Sequence, residues 1–187
     1  GEPQEHELFL RLVLHSLDRD ITEARVGGRA IPLDRIRLDA PSERVTLLLE
    51  EPLEAGAATI ELEFSATLNK QMRGLYLSTA KHDGRSERYA FTHFEPTSAR
   101  RMFPGFDEPE LKAKFRLTVT APAHLTVLSN QPAEDRRVDG ELQTVRFGES
   151  PLMSSYLLAL AVARLAPKRK VVDGTPITVW TRPEDLG

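Results

Sequence analysis

The chain has 187 residues, 40% hydrophobic and 28% charged, with a formal net charge of −3. A chain of this length and balance can bury a real core, and its weak acidity generates no field that favours nucleic acid or an anionic membrane. Cysteine is absent, which excludes disulfides, thiolate metal ligands and a cysteine nucleophile and fits a reducing, cytoplasmic setting.

The first motif in chain order is a decoy. "HELFL" (6–10) begins like the zinc signature H-E-x-x-H, but position 10 is Leu. That signature needs two histidines on one helical face, whereas residues 8–14 alternate as a strand. The histidines at 15, 82, 93 and 124 have no metal-ligand spacing either. "EARVGGRAI" places Gly27-Gly28 where a two-residue hairpin turn belongs. Residues 45–49 read as a further strand. In "TIELEFSATL" (59–68), Ile60, Leu62, Phe64, Ala66 and Leu68 oppose Glu61, Glu63, Ser65 and Thr67, the period of a strand with one buried face.

"HDGR" (82–85), "VDGE" (138–141) and "VDGT" (172–175) each place Asp-Gly between alternating segments and read as turns. Residues 114–121 set Phe115, Leu117, Val119 and Ala121 against Lys114, Arg116, Thr118 and Thr120. "SYLLALAVARL" (155–165) is apolar on both faces, as a central strand is. Arg136-Arg137 and Lys168-Arg169-Lys170 read as solvated surface, not a nucleic-acid site. The longest apolar run, 156–163, falls far short of the about 20 residues of a membrane helix. The chain is therefore expected to form a single all-β domain over residues 1–187. Its expected form is an antiparallel sandwich or saddle of roughly ten strands with at most short helical turns.

One stretch interrupts the alternation. "HFEPTSARRMFPGFDEPELKAKF" (93–115) crowds prolines, paired arginines and carboxylates together. Strand periodicity puts His93 and Glu95 on one side. Pro96 ends the pairing, Ser98 to Met102 suits one tight helical turn, and Asp107-Glu108-Pro109 has the composition of a short helix start. Arg100 or Arg101 lies close enough to pair with Asp107 or Glu108, so these four residues read as ions bracing a compact loop. Glu95 has no obvious local partner and awaits a cation from elsewhere.

Over this stretch the sequence resembles the M1 family of zinc aminopeptidases. The family's amino-terminal domain carries a run like T-Q-F-E-P-x-x-A-R-R-x-F-P-C-F-D-E-P-x-x-K-A-x-F. Here it reads "THFEPTSARRMFPGFDEPELKAKF". "MRGLYLS" (72–78) precedes it, and "TVLSNQP" (126–132), "MSSYLLALAV" (153–162) and "GTPITVWTRP" (174–183) follow in the family's order. The likeness covers nearly the whole chain and is thin before residue 44.

The resemblance implies a β domain that covers a thermolysin-like zinc domain. The family's catalytic parts, a G-x-M-E-N loop and H-E-x-x-H with a distant Glu, do not occur in residues 1–187. No catalytic or metal-binding residue is therefore assigned here. Zinc is expected in the full-length enzyme only, and the chain alone is expected to be inactive. The implied partners are a peptide amino terminus and a downstream catalytic domain of the same protein, not nucleic acid or membrane. Glu95 falls on the position that binds the substrate's α-amino group. His93 falls on the position, usually Gln, that lines the pocket for the first side chain. Gly105 replaces a usual Cys. Two other readings stand beside this one: a non-catalytic scaffold relative, and a free-standing β-sandwich binding module. The apolar surface that would meet the catalytic domain is expected near Phe94, Met102 or Phe103.

Overall fold

Four of the expected turns close hairpins in the computed structural model, which describes residues 10–53, 56–82 and 84–185. Strand β2 (Asp20–Val26) returns as β3 (Arg29–Ala30) through Gly27 and Gly28, at φ of 59° and 80°. Two positive φ angles give the backbone twist that a tight hairpin needs, and only glycine adopts them without strain. The other hairpins join β7 (Gly74–His82) to β8 (Arg85–His93), β11 (Ala133–Asp139) to β12 (Leu142–Phe147), and β14 (Ala166–Val172) to β15 (Thr175–Thr181).

The remaining strands are β1 (Arg11–His15), β4 (Ile36–Asp39), β5 (Arg44–Leu48), β6 (Ile60–Ser65), β9 (Thr118–Pro122), β10 (Thr126–Ser129) and β13 (Leu160–Ala163). All ladders among the described strands are antiparallel. The helical content of the described residues is four three-residue 3-10 turns. The all-β reading is met, with fifteen short strands among the described residues. The count exceeds the number of alternating runs because β3, β4 and β10 are too short to show a period.

The strands form five sheets, ordered β1-β5-β4, β3-β2-β6, β10-β13-β8-β7, β11-β12-β9 and β14-β15. The first two enclose one core, in which Leu14, Val45 and Leu47 meet Ala24, Val26 and Ile31. The third and fourth enclose a second, built on Ala121, Val127, Val145, Phe147 and Leu160. A third cluster, Phe94, Ala99, Met153 and Leu158, lies under the loop that follows β8.

Two segments depart from their expected form. Residues 155–165 are not one strand: Ser155–Leu157 is a 3-10 turn, and only Leu160–Ala163 pairs. That short strand is central, between β10 and β8, so its two apolar faces are explained. The segment before it is apolar because Leu158 packs under the loop, not because it joins a sheet. Residues 114–117 lie outside a named strand. They are held by Phe115 N–H on Ser150 Oγ at 2.9 Å and by Leu117 C=O accepting from Phe147 N–H at 2.9 Å.

Candidate functional site

Strand β8 delivers His93 at its last paired position, opposite Gly74. The next residue, Phe94, is 2% exposed and meets Phe103 edge to face, with ring centroids 6.4 Å apart. Burying that ring turns its two neighbours outward, and His93 and Glu95 are both exposed. Of the three residues near which bare apolar surface was expected, Phe94 is buried, and Met102 and Phe103 are half-buried against the cores. Exposed large apolar side chains include Phe106 and Leu111, later in the same loop, and Leu152 and Leu157, on the approach to β13. They come from two segments tied together by the backbone pair Ala113–Met153 and by Ser154 Oγ–H on the Pro109 carbonyl at 2.5 Å.

Glu95 makes no hydrogen bond or ion pair with any described residue. His93 is oriented by one contact, Nδ1 to the Met72 carbonyl at 3.0 Å. A carbonyl oxygen only accepts, so Nδ1 carries the proton. The neutral ring then has a bare Nε2, an acceptor on the exposed side chain beside Glu95.

Behind these two side chains the loop is fixed from several directions. Phe94 C=O accepts from Ser98 N–H at 2.7 Å, and Ala99–Arg101 forms the expected helical turn. Asp107 is 2% exposed. Its Oδ2 accepts from Arg100 N–H at 3.1 Å and Arg100 Nε–H at 3.0 Å, and its Oδ1 accepts from Ser155 Oγ–H at 2.6 Å. A buried carboxylate is stable only with such donors, so this set is what holds Asp107 in place. The Arg100 guanidinium also reaches Glu43 at 3.0 Å.

Of the pairings open in the sequence, Arg100–Asp107 forms. Arg101 turns away to Asp18 at 3.2 Å. Glu108 lies 3.6 Å from His15 Nδ1, and its Oε2 has no hydrogen-bond partner among the described residues. His15 Nδ1 faces the Asp107 N–H at 3.4 Å, so in the neutral ring it is a weak acceptor and offers Glu108 no proton. The expected helix start at Asp107-Glu108-Pro109 is a single turn, Leu111 N–H to Glu108 C=O at 3.0 Å. The chain then leaves to pair Ala113 with Met153, which prevents a helix.

Ser155, Glu43, Asp18 and Gly74 all support this loop and went unnoticed in the sequence. Gly74 has φ of 68°, and a Cβ added there would lie 2.3 Å from Arg101 Cβ. Ser155 and Gly74 fall inside "MSSYLLALAV" and "MRGLYLS", two of the segments that carry the resemblance, and that was the available signal. Glu43 and Asp18 carried none. Among the described residues no three His, Cys, Asp or Glu side chains are grouped to hold a metal ion. The resemblance implies zinc for the full-length enzyme and assigns none of its ligands to these residues.

Comparison with known proteins bears directly on this loop. Residues 7–157 match the family described as the peptidase M1 N-terminal domain. "Aminopeptidase M1-B" of Oryza sativa subsp. japonica is 42% identical over 172 residues, covering 91% of this chain and 20% of the relative. "Aminopeptidase M1-C" of the same organism is 36% identical over 172 residues, with the same coverage of 91% and 20%. "Aminopeptidase N" of Acetobacter pasteurianus is 37% identical over 147 residues, covering 78% of this chain and 41% of the relative. The chain spans about a fifth of the length of the rice relatives.

Proposed function

Because the chain belongs to the peptidase M1 amino-terminal domain family, we propose that it is the substrate-binding cover domain of a zinc metallo-aminopeptidase that removes amino-terminal residues from peptides. Glu95 takes the substrate's α-ammonium, and His93 lines the pocket for the first side chain. The observation that carries this reading is the contrast between two carboxylates on one loop. Asp107 is buried and fully engaged, while Glu95 is exposed and without a partner among the described residues. A loop braced so heavily around an unengaged carboxylate suits a group that waits for a cation. The exposed Phe106, Leu111, Leu152 and Leu157 are the apolar surface with which this domain meets its catalytic domain. The chain by itself is expected to hydrolyse nothing.

A charge-assisted hydrogen bond to a desolvated ammonium contributes about 1.5–3 kcal/mol. It also sets which carbonyl is presented for attack, so its loss reaches turnover as well as affinity. Glu95→Ala in the full-length enzyme should lower kcat/KM for aminoacyl substrates by at least about tenfold. A near-normal kcat/KM would remove Glu95 from the substrate site. A full-length protein with no peptidase activity at all would favour the scaffold reading.

A further inference from the structure

The ribbon of β14 and β15 stands apart from the other sheets. It joins no third strand among the described residues. None of its residues belongs to the three apolar clusters, and residues 167–179 are all exposed. The hairpin is nevertheless fully formed. It pairs without a break from Ala166↔Thr181 to Val172↔Thr175 and turns through Asp173 and Gly174, at φ of 49° and 79°.

A ribbon that stays in water carries polar and charged side chains along its faces and edges. Lys168, Arg169, Lys170, Thr175 and Thr178 meet that description. Val171, Val172, Ile177 and Val179 do not, at 65%, 39%, 45% and 56% exposed. Single exposed aliphatic side chains are ordinary, but four on one short ribbon are a patch. Register sorts them by face. Val172, Ile177 and Val179 share one face with Lys168 and Lys170, while Val171 shares the other with Arg169, Pro176 and Thr178. The first face is an aliphatic strip with two ammonium groups along it. A lone two-stranded hairpin is marginal in water and needs a third strand or a packed face for stability.

Two observations say what covers this face. The chain spans about a fifth of the length of the rice relatives, so most of a protein of that kind is polypeptide outside this structure. The turn after β15, Pro183–Asp185, is tied to the end of β13 by Arg164 Nη2–H on Glu184 at 3.2 Å. Polypeptide that continues beyond that turn starts at the foot of the ribbon. We infer that the face of Val172, Ile177 and Val179 is a docking surface for the downstream catalytic domain, on an apolar patch of that domain with a carboxylate opposite Lys170. The inference rests on reading the chain as the amino-terminal domain of a longer peptidase. It adds a contact distant in sequence from Phe106, Leu111, Leu152 and Leu157.

Hydrogen exchange compared between the 187-residue chain and the full-length protein tests it. The backbone amides of residues 168–179 should exchange at least about tenfold more slowly in the full-length protein. Ile177→Thr combined with Val179→Thr keeps two β-branched side chains and removes the apolar contact. This pair should return those amides to fast exchange in the full-length protein and leave the thermal midpoint of the 187-residue chain unchanged. Equal exchange in the two proteins overturns the inference, and so does protection that survives the paired substitution. Self-association of the 187-residue chain that the same pair abolishes also overturns it, because the occupant is then a second copy. Fast exchange of the ribbon in a full-length protein with normal peptidase activity overturns the docking alone. Protection of the ribbon in a full-length protein without peptidase activity upholds the docking and counts against the proposed chemistry.

Discussion

Ser155 donates its hydroxyl to Asp107 Oδ1 at 2.6 Å, joining the turn before β13 to the loop after β8 across 48 positions of sequence. The same carboxylate holds Arg100 through its other oxygen at 3.0 Å. Asp107→Ala removes an acceptor that three donors share and leaves a mostly buried guanidinium with only Glu43. The expected cost is about 3–5 kcal/mol of unfolding free energy, measured by urea denaturation of the chain. Ser155→Ala should cost less, about 1.5–3 kcal/mol, because the arginine pair survives. Glu95→Ala in the same assay should stay within about 0.5 kcal/mol of wild type, as an exposed change does.

Gly74→Ala tests a purely steric requirement. The new Cβ would lie 2.3 Å from Arg101 Cβ, on a backbone whose φ of 68° already disfavours any side chain. Left-handed φ costs about 1–2 kcal/mol for an L-residue, and overpacking adds about 1–3 kcal/mol. A loss of about 2–4 kcal/mol is expected. In the full-length enzyme, kcat/KM should also fall, because Gly74 faces His93 across the β7–β8 ladder and Arg101 belongs to the loop that presents Glu95.

His93→Gln tests the proposed role of His93 in the pocket for the first side chain. In its neutral form His93, with Nδ1–H given to the Met72 carbonyl, offers one acceptor and no free donor. Glutamine offers both. The ratio of kcat/KM values between a substrate whose first side chain donates and an apolar one of similar size should change several-fold, while stability stays within about 1 kcal/mol. An unchanged ratio would take His93 out of the specificity pocket and leave Glu95 unaffected.

Stability should fall at alkaline pH through Tyr89. Its phenol is raised above the ordinary range, first by burial and then by its hydrogen bond to Glu87, with Arg164 opposing. The folded state therefore holds this proton more tightly than the unfolded chain. The contribution is fully present below about pH 10, where the unfolded phenol begins to titrate, and is lost as pH rises through the higher folded value. Tyr89→Phe removes the titrating group. Denaturation series of the two proteins should show a shallower alkaline decline in the variant, at the expense of about 0.5–1.5 kcal/mol at neutral pH for the lost bond.

Local chemistry made part of this molecule readable before any coordinates. Gly27-Gly28 marks a hairpin because its conformational demand is met by those two residues alone. Arg100 and Asp107 are seven positions apart in one loop, so their pairing was among a few open possibilities. Arg101–Asp18 and Arg100–Glu43 span 83 and 57 positions, and no period or spacing encodes them. Phe94 misled for a related reason. Bare apolar surface was expected near it as the contact with a catalytic domain, and only the tertiary packing of Phe103, Met153 and Leu158 around it makes it a plug.

The distribution of supports around Asp107 and its arginines bears on exchanging parts between relatives. A chimaera that imports only residues 93–108 from a relative carries Glu95 and its neighbours across, but their anchors stay behind. Asp18 and Glu43 belong to the first sandwich, and Ser155 to the approach to β13. If Glu95 acts as proposed, such a graft is transplanted as four separate pieces of chain, and a recipient lacking any one of them receives the carboxylate without one of its supports.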